Sequence, residues 1–378
     1  MSNQVIKQSV PFEENKPEFL SVGCDSKGGI LPSAGRVKIG LVGLNFGRHI
    51  LKGLLEKPIG NFFELTALCD VDEKRLADAA KKAPVACYNN LDELLADPNM
   101  EVVGLFTKPA GRASFIRKII RSGRHVITTK PLESDPEAAK AVLEEARALG
   151  VRVECNSPSL TPSPDIKLVK EWEQKYQLGR PVAARANVWA SYREEADGSW
   201  YDDEKSCPAA PLYRLGIYLI NDLTRLWGRV EHVQVMQTRL FTKRPTADNA
   251  QMGLFFENQA LANVFASFCV NDGDQYGNSL ILNYENGTIY RNAGPAWTVP
   301  GGRRSVALVQ SHENQCKVVD QAFINSQSGD YHWEDFARAV RGEPQPAELT
   351  PDQMVEGIRV IKSLLKAQSD GGVARVVH

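Results

Sequence analysis

The stretch Val37-Lys38-Ile39-Gly40-Leu41-Val42-Gly43-Leu44-Asn45-Phe46-Gly47-Arg48 decides how the first half of the chain folds. Its first six residues form a short apolar run, as expected of a strand buried on both faces. A glycine-bearing turn follows, and then Ile50, Leu51, Leu54 and Leu55 recur at helical spacing. Strand, turn and helix in that order offer unpaired backbone N–H groups and the positive end of a helix dipole, which suits a pyrophosphate. The turn departs from G-x-G-x-x-G, because Asn45 stands at the second glycine and Gly47 comes one residue early. Asn tolerates left-handed backbone angles better than other non-glycine residues, so the turn can survive the exchange. Alone, the motif also fits a purely structural strand-to-helix turn.

Working outward, Glu64–Cys69 reads as a second strand, and Asp70 ends it 23 residues beyond Gly47. That is close to the ~20-residue spacing of a carboxylate that reaches the adenosine ribose hydroxyls. Such a carboxylate repels a 2′-phosphate, and Val71-Asp72 brings no adjacent base, so NAD is favoured and NADP remains possible. The structural alternative for Asp70 is a helix cap shared with Asp72. Further on, Asp72 and Asn90 cap short helices, and Val102–Phe106 and His125–Thr128 read as strands. Ser114–Arg121 and the segment from Pro136 to Gly150 read as helices, and Val151–Glu154 as one more strand. This alternation predicts a doubly wound parallel sheet over residues 36–158, a dinucleotide-binding Rossmann domain.

The pattern changes after about residue 160. Helices are expected over Ile166–Tyr176 and Tyr213–Trp227, among alternating stretches at Val182–Trp189, His232–Phe241, Met252–Phe256, Leu261–Phe268, Ser279–Tyr284 and Thr288–Arg291. Glu285-Asn286-Gly287 is a hairpin turn signal, since Asn-Gly accepts the positive φ values such turns need. Residues 159–378 are therefore expected to form an α/β domain with a largely antiparallel open sheet. Two closing helices, Trp333–Arg341 and Pro351–Ala367, belong to it or pack back on the first domain. Residues 1–35 are polar and broken by Lys27-Gly28-Gly29 and Pro32-Ser33, and read as an N-terminal extension, either a tail or an arm on a partner.

Composition narrows the function classes. Hydrophobic residues make up 43% and charged residues 24%, which excludes a wholly disordered or collagen-like chain. Forty-five Lys+Arg against 46 Asp+Glu leave a net charge of −1, with no global pull on nucleic acid or an anionic membrane. Seven cysteines, an odd number without C-x-x-C spacing, argue against a zinc site or a disulfide framework. Reduced thiols, no apolar run of membrane-spanning length and no leader-like start lead to the expectation of a cytoplasmic protein without metal or membrane.

The segment Glu101–Pro131, EVVGLFTKPAGRASFIRKIIRSGRHVITTKP, resembles the glucose–fructose oxidoreductase / inositol dehydrogenase / rhizopine catabolism (Gfo/Idh/MocA) family. The family's Ala-Thr-Pro, Gly-Lys-His-Val and Glu-Lys-Pro positions hold Phe106-Thr107-Lys108, Gly123-Arg124-His125-Val126 and Thr129-Lys130-Pro131. The likeness continues through Gly150-Val151-Arg152-Val153, Leu178-Gly179-Arg180-Pro181 and Gly216-Ile217-Tyr218-Leu219, and ends at Trp333–Gly342. It implies an NAD(P)-dependent oxidoreductase acting on a sugar, sugar derivative or polyol, and a homodimer or homotetramer formed through the C-terminal sheet. Two positions depart from the family pattern. Thr129 replaces a glutamate, and Arg214 replaces the aspartate of a helix motif whose histidine is Tyr218 here. Tyrosine there is similar to the branch containing glucose–fructose oxidoreductase and dimeric dihydrodiol dehydrogenase.

Hydride transfer from a secondary alcohol needs a proton acceptor beside the hydroxyl. Lys130, at the carboxyl end of a buried strand, and Tyr218 are the candidate catalytic pair; an ammonium near Tyr218 would favour its phenolate. The candidate cofactor residues are Gly43, Leu44, Asn45, Phe46, Gly47, Asp70, Thr107, Lys108, Pro109, Thr129 and Lys130. Candidate substrate residues are Arg112, Asn156, Tyr192, Arg214, Asn221 and Asp222, with Asn221 and Asp222 alternatively pairing with Arg225. Arg193, Glu194 and Glu195 read as a solvated loop. Lys108, Arg112, Lys130 and Arg214 together would place four cations near the nicotinamide end, which demands a negative partner. That partner is either Asp222, Asp202 or Asp203, or an anionic substrate such as a sugar acid or phosphate. The alternative to an enzyme is a dinucleotide- and sugar-binding sensor of the same fold.

Overall fold

Six strands carrying apolar side chains on both faces make one parallel sheet. In the computed structural model they are β1 (Val37–Val42), β2 (Phe63–Cys69), β3 (Ala86–Tyr88), β4 (Val102–Leu105), β5 (His125–Thr128) and β6 (Val153–Cys155). They run in the order β3-β2-β1-β4-β5-β6, all parallel. The structure describes residues 35–57, 59–271, 277–293, 304–324, 329–345, 348–370 and 373–378, so the expected N-terminal extension lies almost wholly outside the described residues. One face of the sheet packs Ile39, Leu41 and Leu68 against Ile50, Leu51 and Leu54 of the helix Leu44–Leu55. The other packs Val103, Leu105 and Val126 against Ile116, Ile120, Val142 and Leu143 of the helices Arg112–Arg121 and Pro136–Ala148. Strand order reverses between β1 and β4, and the crevice beyond their carboxyl ends is where such sheets bind ligands.

The second sheet has nine strands. They are β7 (Pro181–Trp189), β8 (Val230–Thr238), β9 (Asn249–Phe256), β10 (Leu261–Ser267), β11 (Gly277–Tyr284), β12 (Gly287–Arg291), β13 (Arg304–His312), β14 (Gln315–Ile324) and β15 (Val373–Arg375). Their order is β14-β13-β12-β11-β7-β10-β9-β8-β15, antiparallel except for the parallel pair β7–β10. Alternation along the strands turns Ala184, Ala186, Val188, Val264 and Leu282 inward, onto Leu219, Ile220 and Leu223 of the helix Ile217–Trp227 and Val360, Ile361 and Leu364 of the helix Glu356–Ser369. Met236, Leu261, Tyr290, Val318 and Phe323 stay exposed on the opposite face.

Three local departures from expectation have identifiable causes. The hairpin β13–β14 was not foreseen, because β14 reads QCKVVDQAFI, a largely exposed strand at the sheet's edge with little hydrophobic alternation. The strand expected to reach Phe241 stops at Thr238, because the Asp248 carboxylate accepts the N–H groups of Leu240, Phe241 and Thr242 at 2.8, 2.6 and 2.7 Å and folds the chain into a turn. The helix expected from Tyr213 opens with a π-helical turn, Leu212–Gly216, and becomes α-helical only at Ile217. Such wide turns concentrate at functional sites.

The end of the chain returns to the first sheet. Trp333 and Phe336, on the helix Trp333–Val340, pack on Phe63 at ring separations of 5.4 and 6.2 Å. Met354, Val355 and Ile358 join the core under Val142 and Leu143.

Candidate active site

The tips of β1, β2, β4, β5 and β6 carry the candidate site residues. After β1, Gly43 adopts φ +86°, and a Cβ there would lie 2.9 Å from the Phe106 carbonyl carbon and oxygen. Only glycine lets the first turn approach the β4 tip so closely. The helix begins at Leu44, and its N-cap residue, Gly43, has no side chain to cap it. Asn45 is already helical and exposed, so the left-handed conformation for which it was weighed does not arise; Gly43 alone makes the turn. Gly47 is buried, and Phe46 packs on Phe106 at 6.0 Å.

At the tip of β2, Asp70 is buried, and its two oxygens accept different backbone N–H groups, Leu44 at 2.6 Å and Asp72 at 2.9 Å. These bonds aim the carboxylate at the mouth of the first turn. Arg75 stands 3.8 Å away, half-exposed. At the tip of β4, Lys108 is exposed, Pro109 is buried, and the Thr107 hydroxyl is buried with no partner among the described residues. A helix start whose first N–H is already met by Asp70, that same oriented carboxylate and an unpartnered Thr107 hydroxyl around one crevice fit a dinucleotide.

Lys130 follows β5. Its backbone N–H donates to Asn156 Oδ1 at 2.9 Å, and its Nζ donates to the Arg214 carbonyl and stands 4.8 Å from the centre of the Tyr218 ring. Burial, and secondly the Arg214 charge, pull the amine down to about 7. Lys130 and Tyr218 are thus brought together from different domains.

Several expected substrate residues are placed otherwise. Arg112 is buried, and its guanidinium donates to the carbonyls of Thr129 at 2.7 Å, Pro131 at 2.5 Å, Leu132 at 3.3 Å and Thr107. It ties the β4 loop to the β5 loop and is not directed at a ligand. Glu133, which sequence reasoning passed over, is also buried and accepts the N–H groups of Gly111 at 3.0 Å and Ala113 at 2.8 Å. Asn221 Nδ2 donates to Ser157 Oγ at 2.9 Å. Asp222 pairs with the buried Arg291 at 2.9 Å, beside Asp165 at 2.6 Å. Arg225 donates to the carbonyls of Ser159 and Leu160, and the Asp222 charge acts on it as well. Asn156 is buried between Lys130 and Gly329, and Thr129 Oγ1 approaches Asn156 Oδ1 at 3.4 Å.

Three of the four expected cations stand together, the charges of Arg214 and Arg112 both acting on Lys130, whereas Lys108 is exposed. Arg214 forms a two-pronged ion pair with Glu194, at 2.7 and 2.9 Å, and lies over the rings of Tyr201, Phe268 and Tyr192 at 4.1, 4.7 and 5.2 Å. Burial alone would lower the guanidinium's pKa; Glu194 outweighs it and raises it. Glu194 also accepts from Arg244 at 2.9 Å, and Arg244 reaches Asp197 at 2.9 Å and Asp202 at 2.6 Å. The counter-ion is a residue that read as solvated loop, and none of Asp222, Asp202 or Asp203 pairs directly with Arg214. Two arginines draw Glu194 inward, a contact no local pattern announces.

Residues 37–157 match the model of the oxidoreductase family with an NAD-binding Rossmann fold, and residues 166–290 match the GFO/IDH/MocA C-terminal domain. The chain belongs to the Gfo/Idh/MocA oxidoreductase family, with an NAD-binding Rossmann domain. It is 22% identical over 191 residues to inositol 2-dehydrogenase/D-chiro-inositol 3-dehydrogenase of Lactiplantibacillus plantarum, covering 49% of this chain and 53% of that one. Matches to uncharacterised oxidoreductases of Schizosaccharomyces pombe reach 28% and 26% identity but span only 39% and 52% of those proteins. A putative NADPH-dependent oxidoreductase from Desulfitobacterium hafniense has the same fold, with a TM-score of 0.74 and 17% identity over 90% of this chain and 98% of that one. So does the WlbA dehydrogenase from Bordetella pertussis, in complex with NADH and UDP-GlcNAcA, with a TM-score of 0.67 and 16% identity over 91% and 98%. At such identities these two structures speak to the fold alone. No helix among the described residues is long and apolar enough to cross a membrane.

Proposed function

We propose that this protein is an NAD-dependent oxidoreductase that interconverts a secondary alcohol and a ketone on a sugar, sugar derivative or polyol, with Lys130 handling the proton. The observation that carries this reading is an amine at the carboxyl end of β5, drawn down to about 7 and set against the Tyr218 ring. An ordinary lysine is almost wholly protonated at pH 7 and cannot accept a proton. With its pKa drawn down to about 7, Lys130 loses its proton far more readily than an ordinary lysine, so its Nζ can take the hydroxyl proton as the carbonyl forms, and return it in reduction. The Tyr218 hydroxyl, on the other domain, is suited to hydrogen-bond the same substrate oxygen. When bound, the nicotinamide supplies the hydride acceptor or donor. Asp70 would hold the adenosine ribose and favour NAD over NADP, with the pyrophosphate on the Leu44 helix start and Thr107 and Thr129 nearer the nicotinamide.

The names of relatives, an inositol dehydrogenase and a dehydrogenase crystallised with a nucleotide sugar, support a carbohydrate-like substrate. An anionic substrate is not required to balance these cations, because Arg214 is paired with Glu194, Arg112 is held by carbonyls, and burial lowers the pKa of Lys130. Tyr192 and the Arg214–Glu194 pair would line the sugar side. Wild-type protein, mixed with NAD or NADP and a panel of neutral and acidic sugars and polyols, is expected to produce reduced nicotinamide with at least one sugar or polyol. Tight cofactor binding with no turnover on the whole panel would replace the enzyme by a sensor.

A further inference from the structure

The candidate catalytic tyrosine meets two jaws from different parts of the chain. Lys130 Nζ stands 4.8 Å from the ring centre. Against the ring also runs the backbone of Gly329, at φ +97°, so close that a Cβ there would lie 2.8 Å from Tyr218 Cδ1 and 2.9 Å from Cε1. One side chain bonds to both jaws. Asn156 Oδ1 accepts the Lys130 N–H at 2.9 Å, and Asn156 Nδ2 donates to the Gly329 carbonyl at 2.9 Å. Asn156 is itself only 5% exposed, just beyond β6 at the tip of the first sheet.

We propose that Asn156 is a positioning residue that sets the Lys130–Tyr218 geometry by tying Lys130 and the Gly329 strap together against the tyrosine ring. An amide is the side chain that can do this, because it offers an acceptor and a donor about 2 Å apart on one rigid plane. A carboxylate keeps the acceptor and loses the donor; a hydroxyl is too short to reach both. The strap continues the coupling toward the cofactor. Two residues on, Tyr331 packs edge-on against Phe106 at 6.2 Å, and Phe106 is the residue on which the Gly43 turn closes. The sequence offers Asn156 as a hydrogen-bond partner of substrate or carboxamide, or as a turn cap. Both ends of its amide are engaged by protein, so it acts through Lys130 and Tyr218.

The inference rests on the reading of Lys130 and Tyr218 as the reacting pair, but its test needs no substrate. Lysines of the whole protein are reductively methylated with isotope-labelled formaldehyde, and the Lys130 signal is assigned by its loss in Lys130→Met. Held over the Tyr218 ring, that signal is expected upfield of the exposed lysines, and it should return to their position in Tyr218→Leu. Asn156→Ala and Gly329→Ala should each move it at least halfway back, Gly329→Ala doing so with Asn156 intact. Once an active sugar is known, Asn156→Ala should lower kcat by about 10- to 100-fold, as expected for a misplaced reacting group, with KM and NADH affinity within about twofold. A Lys130 signal that is not displaced in wild type, or that stays in place in either variant, overturns the proposal. Should Asn156→Ala fail to fold, Gly329→Ala decides alone. A wild type without turnover would remove the function proposed above and leave this signal to stand or fall separately.

Discussion

At the scale of single residues, the charge state of Lys130 has consequences in two directions. Its folded pKa of about 7 lies below the ordinary lysine value, so between about 7 and 10.4 the unfolded chain binds the extra proton. Stability therefore carries a constant penalty below pH 7, and the penalty is relieved as pH rises through that window. Lys130→Met should abolish turnover while raising stability at pH 6 by about 0.5–2 kcal/mol; thermal melts at pH 6 and pH 10 should show the gain shrinking at the higher pH. In the wild type, alcohol oxidation should rise with pH through about 7 and level off, because the neutral amine is the base. Glu194→Gln tests the neighbouring charge. With its carboxylate gone, Arg214 would press harder on Lys130, so the midpoint of that profile should move to lower pH, and stability should fall by about 1.5–3 kcal/mol. An unmoved midpoint would separate Arg214 from the amine. Lys130 was legible in the sequence because it ends an apolar strand before proline. Glu194 was not, because burial of a long charged side chain depends on two arginines 20 and 50 residues away.

At the scale of elements, the strand tips work as a set because side chains bind them to one another. Arg112 joins the β4 and β5 loops through four carbonyls, so Arg112→Leu should cost about 3 kcal/mol and loosen both loops. Its expected signature is a lower melting temperature together with weaker NADH binding, read by nicotinamide fluorescence; unchanged NADH affinity would confine Arg112 to stability. Asp70→Ser should weaken NAD binding and narrow its advantage over NADP, and a wild type that prefers NADP tenfold, about 1.4 kcal/mol, would reverse the assignment of this strand end. The strand–turn–helix units could be read beforehand because their signals are local: apolar runs, the Asp72 and Asn90 caps, Pro136 at a helix start. What could not be read depends on pairing. Edge strand β14 packs only Val319, Ala322 and Ile324 partly on the core, too little to write a clear alternation into its sequence, and the π-helical turn at Leu212–Gly216 packs against β7, β9 and β10, partners that no local pattern names.

At the scale of the whole molecule, the two sheets are joined by the end of the chain. Asp352 accepts from Arg229 at 2.7 Å and from Lys140 and Arg359 at 3.0 Å, binding the second sheet's flank, a first-domain helix and the last long helix at one carboxylate. Burial alone would raise its pKa, but the three cations hold it well below the usual carboxylate range. Its contribution is thus present above about pH 4 and is lost as pH falls further. The outer face of the nine-stranded sheet remains. Strand register puts Met236, Leu261, Tyr290, Val318 and Phe323 on that one face, with Phe255, Phe265 and Ile281 half-buried between them. A sheet with one apolar-rich face open is a site for another copy of itself, in line with the oligomer that the family resemblance implies. Light scattering should therefore return a mass of two or four chains. Val318→Lys with Phe323→Asp, both at exposed positions where folding has little at stake, should shift that mass toward one chain while the melting temperature of the monomer stays high. A wild-type protein that is monomeric at micromolar concentration would leave this face without a partner copy and sink the prediction.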